Sequence, residues 1–199
     1  MQENLQEVMA IFTEGGWVMG VLAAVAVMLY VTSIAAVIFV MKGNLTNSRR
    51  KEWERWIHHP EEAQGRVGEI IRYAVHGPKL SVKRVQRRFD EMFDVLVRSI
   101  DQRLIIIGTL VAAAPMTGLL GTVLGMLAMF DGLSAGGGKQ SMEMIAAGMR
   151  EALFTTLTGL VVALPGMFFA LVVREKRNDI ATVLSQLQAA VVTTKFKSI

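Results

Sequence analysis

Apolar positions along this chain follow two regimes. In three stretches they dominate without interruption by charge: Trp17 to Met41, Leu104 to Phe130 and Ala152 to Val173 contain no Asp, Glu, Lys or Arg. Each exceeds the roughly 20 residues that span a hydrocarbon core about 30 Å thick. Elsewhere the apolar residues recur every three or four positions, which predicts amphipathic helices. Trp53, Trp56 and Ile57 begin one such pattern, and Val67, Ile70, Ile71 and Ala74 form another. A third runs through Val82, Val85, Phe89, Met92, Leu96, Ile100 and Leu104, straight into the second uncharged stretch. A fourth, Ile180, Val183, Leu184, Leu187 and Val191, continues the last stretch. The expected fold is an all-α integral membrane protein with three transmembrane helices, two of them extended by long helical projections.

Residues 1–16 carry Leu5, Val8, Met9 and Phe12 among acids and amides, the pattern of a short interfacial amphipathic segment. Transmembrane helices are expected over 17–41, 104–130 and 152–173. The parts between and after them are a helical region at 42–103, a short connection at 131–151 and a terminal helix at 174–199. Within the first of these, His58-His59-Pro60-Glu61-Glu62 reads as a helix start, with proline in the first turn and acids near the positive dipole end. His76-Gly77-Pro78 reads as the break that ends that helix. Adjacent histidines face different sides of a helix, so His58 and His59 predict no metal site.

Charge sets the orientation. Of 21 Lys and Arg residues, 14 lie in 42–103 and five in 174–199, whereas 1–16 has none and 131–151 has only Lys139 and Arg150. The positive-inside tendency places 42–103 and the C-terminal helix in the cytoplasm and the N-terminus outside. The sequence pI near 9.6 is therefore topological and predicts no nucleic-acid partner. The first stretch lacks a basic leader and is too long for a secretory signal. The chain has no cysteine, which excludes disulfides and thiolate metal sites. No nucleophile–base pair, phosphate loop or metal cluster suggests an enzyme or a cofactor.

The remaining chemistry lies inside the spans. In Ala114 to Met126, APMTGLLGTVLGM, Gly118, Gly121 and Gly125 share one side of a helix, a spacing that lets helices approach closely. Pro115 and Pro165 each remove a backbone hydrogen bond. In REALFTTLTGLVVALPG, Arg150 to Gly166, Glu151, Thr155 and Thr158 share a face about 60° wide, while Thr156 lies about 140° from Glu151. A threonine hydroxyl commonly bonds back to its own helix. A carboxylate at a membrane boundary needs water, a partner or a proton. Packing alone and a functional polar face both remain open on these residues.

The motifs GLLGTVLGM (118–126) and GMREALFTTLTGLVVALP (148–165), about 25 residues apart, resemble the ExbB/TolQ/MotA proton-channel family, closest to its ExbB and TolQ branch. The flagellar stator branch, with four spans, fits less well. The resemblance implies a bacterial inner-membrane homo-oligomer, a pentameric ring, with spans two and three lining a central pore. A dimeric single-span partner of the ExbD/TolR type, bearing the titrating aspartate, would sit within it. Proton flow would then drive a TonB-like or TolA-like protein. By motif position, Thr122 and Thr156 correspond to the family's pore threonines and Glu151 to the acid opening the third-span pattern, an expected pore-mouth residue. Gly118, Gly121, Gly125, Gly159, Pro115 and Pro165 are the expected helix-packing residues. Arg150 departs from the small or apolar residue many relatives have there. A passive three-span scaffold is the alternative from another class.

Overall fold

The computed structural model describes residues 16–41, 50–63, 65–75, 81–134 and 138–196. The expected amphipathic segment (but for Gly16), the His76-Gly77-Pro78 break and part of the Gly-rich connection lie outside the described residues. Among the described residues five α-helices follow in chain order: α1 Gly16–Met41, α2 Arg50–His58, α3 Gly65–Val75, α4 Val82–Ser134 and α5 Lys139–Phe196. A 3₁₀ turn, Pro60–Glu62, separates α2 from α3. Helices α1, α4 and α5 are long and apolar enough to cross a membrane, and the chain is an all-helical integral membrane protein. The contacts divide it into two units. One comprises residues up to Ile34 with Ile106–Ala170; the other comprises Ala35–Ile105 with Leu171–Ile199.

In the first unit, α1 shows why an uninterrupted apolar run forms a one-sided helix. Val18, Met19, Leu22, Leu29 and Ser33 are buried on one face. Val21, Val27, Met28, Val31 and Ile34 remain exposed on the other, as side chains that meet lipid do. Lipid tails are as apolar as leucine, so close van der Waals fit, rather than escape from water, holds such helices together. Gly166 is one point of fit: a Cβ there would lie 2.7 Å from the Leu29 side chain and 2.8 Å from Val111. Nearby, the Tyr30 hydroxyl donates to the Val162 carbonyl at 3.2 Å. Pro115 and Pro165 both sit inside helices that continue through them.

In the second unit, α2, the 3₁₀ turn and α3 bury Trp53, Ile57, Ala63, Val67, Ile70, Ile71 and Ala74. The α-helix expected to start at Pro60 begins instead at Gly65. Gly65, the first residue of α3, has φ +72°, a left-handed value that the interior of a right-handed helix does not hold, so the 3₁₀ turn at residues 60–62 does not run on into α3 as one α-helix. Arg88 on α4 then finishes α3: its guanidinium donates to the carbonyls of Tyr73 (2.9 Å) and Ala74 (3.4 Å) and lies over the Tyr73 ring. A cation at the helix C-terminus satisfies carbonyls that have no helical partner.

Two further contacts fasten the helices of this unit. Arg103 lies 4.6 Å over the Phe39 ring. Asp101 of α4 accepts two hydrogen bonds from Arg177 of α5, each 2.8 Å. The bidentate bond to Asp101 raises the Arg177 pKa above its ordinary value, with burial opposing it. The two side chains keep 40% and 30% of their exposure, so solvent screens the pair. A double-mutant cycle of Asp101→Ala and Arg177→Ala, read by thermal denaturation in detergent, is expected to give a coupling of about 1 kcal/mol. Arg177→Lys is expected to recover less than half of it, because an ammonium lacks the planar fork.

Candidate functional site

Of the polar residues singled out from the sequence, Thr155 and Thr156 lie in the seam between α4 and α5 in the first unit. That seam is built from small residues on both helices. A Cβ added at Gly159 would lie 2.7 Å from the Ala114 carbonyl oxygen, and one at Gly118 would lie 2.8 Å from that of Thr155. One at Gly125 would lie 2.5 Å from the Gly148 carbonyl oxygen and 2.9 Å from Ala152 Cβ. A Cβ at Gly121 would collide with the Thr155 side chain. The residues pair in a constant antiparallel register: 114 with 159, 118 with 155 and 156, 125 with 148 and 152. Backbones therefore touch for about three turns, and the first-to-last spacing follows the i, i+3, i+4 rule on each helix. At the end of the seam the Ser141 hydroxyl donates to the Gly132 carbonyl, joining the start of α5 to the last turns of α4.

Thr155 is fully buried in this seam. Its hydroxyl faces the carbonyls of Glu151 (2.9 Å) and Ala152 (3.1 Å) in its own helix, and its methyl and Cβ fill the space that Gly121 leaves. Thr156, one residue on, is half-buried. Its hydroxyl lies 3.2 Å from the Ala152 carbonyl and 3.4 Å from that of Gly118 across the seam. Thr122 lies one turn from Gly118 on α4, is half-buried, and donates to the Leu119 carbonyl at 2.6 Å. Thr117 donates to Ala113 in the same way. Each hydroxyl gives its hydrogen to a carbonyl, and its oxygen lone pairs can still accept.

Glu151 falls elsewhere. Its carboxylate lies against Gly16, the first residue of α1, so closely that a Cβ at Gly16 would collide with it. One turn further along α5, Phe154 packs with Leu124 on the buried cluster of Val18, Met19 and Leu22. The structure thus brings Thr156 across the seam to Gly118, leaves Thr122 one turn further along α4 with its hydroxyl bonded within its own helix, and sets Glu151 beside the end of α1. Sequence reasoning did not anticipate Ala114, Gly148 and Ala152 in the seam, Tyr30 on Val162, or Gly16 beneath Glu151. The signal for the first group was present: Gly148, Ala152, Thr155 and Gly159 repeat the three-and-four spacing of the α4 glycines.

Comparison with known proteins places these motifs in context. The family model described as the MotA/TolQ/ExbB proton channel family matches residues 63–194. A putative biopolymer transport protein, ExbB-like 1, from Synechocystis is 48% identical over 67 residues, covering 33% of this chain and 25% of that protein. The Tol-Pal system protein TolQ of Haemophilus influenzae is 33% identical over 91 residues, 45% of this chain and 39% of that one. The biopolymer transport protein ExbB of Aquifex aeolicus is 41% identical over 88 residues, 42% of this chain and 59% of that one. The matched stretches thus span from a quarter to about three fifths of these relatives' lengths.

Proposed function

Because the chain belongs to the MotA/TolQ/ExbB proton channel family, we propose that it is the ring-forming subunit of an ion-driven motor in a bacterial inner membrane. In this reading several copies, a pentamer by the family's pattern, surround the single-span helices of an ExbD/TolR-like dimer. The N-terminus lies in the periplasm, 42–103 and the C-terminal helix lie in the cytoplasm, and a TonB-like or TolA-like protein receives the work. The supporting observation is that the two motifs carrying the family resemblance each present a threonine hydroxyl: that of Thr156, part-buried, lies 3.4 Å from the Gly118 carbonyl across the glycine-lined seam, and that of Thr122 stands one turn from Gly118 on α4.

Their chemistry suits a site whose acid arrives on another chain. Each hydroxyl already donates to a main-chain carbonyl, so its free capacity is as an acceptor. A protonated carboxylic acid carries the hydrogen that such an acceptor needs. An ionised carboxylate instead demands donors, and each threonine must then turn its hydrogen away from the helix carbonyl. The protonated and ionised states of the partner's acid therefore favour different arrangements, which is the condition for converting proton transfer into movement. Protonation also lowers the cost of moving the acid past apolar surface.

One observation favours the scaffold reading: the hydroxyls of Thr117, Thr122 and Thr155 all find acceptors in their own helix. The two readings separate on reconstitution into lipid vesicles with a single-span protein bearing an intramembrane aspartate, encoded beside this chain. The motor reading expects partner-dependent proton uptake driven by a membrane potential. A complex that assembles and conducts no ion would establish the scaffold.

A further inference from the structure

We propose that the first span braces the third at a built-in weak point: the Tyr30 hydroxyl of α1 steadies α5 at the break that Pro165 makes in its hydrogen-bond ladder. Each interior residue of an α-helix donates its N–H to the carbonyl four residues back. Pro165 lies inside α5 and has no N–H, so the Val161 carbonyl loses its donor and is crowded by the proline ring. The next residue is Gly166, whose backbone carries no side chain to restrain it. A missing bond followed by a glycine is where a long helix yields most easily.

Helix α1 meets α5 at that step in two ways. Tyr30 donates to the Val162 carbonyl at 3.2 Å, in the turn directly before Pro165 and one residue from the carbonyl that the proline deprives. A carbonyl has two lone pairs, so Val162 can accept from Tyr30 and still serve its own helix. Leu29, the neighbour of Tyr30, is fully buried and fills the notch at Gly166. A Cβ on that glycine would stand 2.7 Å from Leu29 Cδ2 and 2.8 Å from Val111 Cγ2 on α4. The glycine thus softens α5 and makes room for the helix that steadies it. Inside hydrocarbon a main-chain group without a partner is expensive, and membrane helices keep their prolines where neighbouring helices restore the lost bonding. A phenol suits the task, since its ring packs on apolar neighbours while its hydroxyl reaches across the interface. Ser33, one turn beyond Leu29 on the same face of α1, is also fully buried, yet its hydroxyl has no hydrogen-bond partner among the described residues. Burial of a hydroxyl on this face is therefore not enough; placement opposite the Pro165 turn is what makes the brace. The first span is then more than an anchor, because it sets how freely the third flexes.

Amide hydrogen exchange, followed by mass spectrometry on the full chain in lipid nanodiscs, tests this with Tyr30→Phe, Pro165→Ala, the two combined, and Ser33→Ala beside the wild type. Tyr30→Phe removes only the hydroxyl and is expected to speed exchange across residues 163–170 by about fivefold, the effect of one hydrogen bond on local opening. Residues 152–160 are expected to change less than about twofold. With Pro165→Ala present, where alanine restores the missing donor, Tyr30→Phe is expected to change 163–170 by less than about twofold. Ser33→Ala is expected to leave that segment at the wild-type rate. Unchanged exchange in Tyr30→Phe would overturn the proposal. Equal acceleration with and without Pro165 would also overturn it, since Tyr30 would then pack against α5 without acting at the break. A comparable acceleration by Ser33→Ala would do the same. If Pro165→Ala fails to insert, confinement of the Tyr30→Phe effect to 163–170 decides in its place, and a uniform rise along α5 counts against the brace. The measurement holds whether or not the chain conducts ions, so its failure is distinct from failure of the motor reading.

Discussion

Replacing Thr122 and Thr156 together with alanine is expected to lower partner-dependent proton uptake at least about tenfold while leaving the protein inserted and assembled. The magnitude follows from the hydrogen bond at stake. A hydroxyl facing a group that is charged in part of its cycle contributes about 1.5–3 kcal/mol, which corresponds to roughly 10- to 100-fold. The stability cost is small by comparison, because each hydroxyl bonds to a carbonyl that its own helix already satisfies. Thr156→Val keeps the shape and removes the hydroxyl; Thr156→Ser keeps the hydroxyl. Uptake is expected to fail in the first and persist in the second. Vesicle flux and the oligomer's elution volume, measured on the same preparations, check both halves. Full uptake in the double alanine protein would leave the scaffold reading standing. Thr155→Val is the internal comparison: buried and bonded to its own helix, it is expected to alter stability by about 1 kcal/mol and flux far less.

Gly125→Ala is expected to produce the largest loss of stability of any single methyl addition in the seam. Its new carbon would stand 2.5 Å from the Gly148 carbonyl oxygen and 2.9 Å from the Ala152 Cβ and nitrogen. Two of those neighbours are main chain, which cannot rotate away, so the helices must separate. Overpacking of this kind costs about 1–3 kcal/mol. Matched controls lie in the first and second spans: a Cβ at Gly20 on α1 or Gly108 on α4 meets nothing within 4 Å. Those substitutions are expected to be neutral or stabilising by up to about 1 kcal/mol, the helix-propensity difference between the two residues. Thermal unfolding in one detergent, with all three variants side by side, measures the contrast. Equal midpoints for Gly125→Ala and Gly108→Ala would mean that the seam is not close-packed in the membrane.

How far the sequence carried the description depends on which force each feature answers to. The three spans were legible because hydrocarbon imposes a length and excludes charge, and both are visible in a linear string. The glycine face of α4 was legible because its spacing is local. Its counterpart on α5 is less evident, since Gly148, Ala152, Thr155 and Gly159 mix three residue types that count as small only in context. The Asp101–Arg177 pair was hidden for a different reason. It joins residues 76 positions apart, although both stand three or four residues beyond an uncharged run, and antiparallel spans bring such flanks to one level. Glu151 shows the limit most clearly. Its helix face, its charge and its motif were all readable, but the group it meets is the backbone of Gly16, and a glycine with no side chain gives no sign of what lies against it. The start of α3 was misplaced because Pro60 and two acids imitate a helix entry, and only the positive φ at Gly65 reveals where the turn closes.

The seam between α4 and α5 has one more consequence. Where side chains fill an interface, a helix can creep by small adjustments of many rotamers. Here main chain stands against Gly118, Gly125, Gly148 and Gly159, with the Thr155 side chain set against Gly121 between them, and little remains to adjust. One helix can pass the other only by a step near 5.4 Å, the pitch that presents the next small residue to the next gap. The pair therefore moves as one rigid plate, and in the proposed motor any moving partner would have to turn against it.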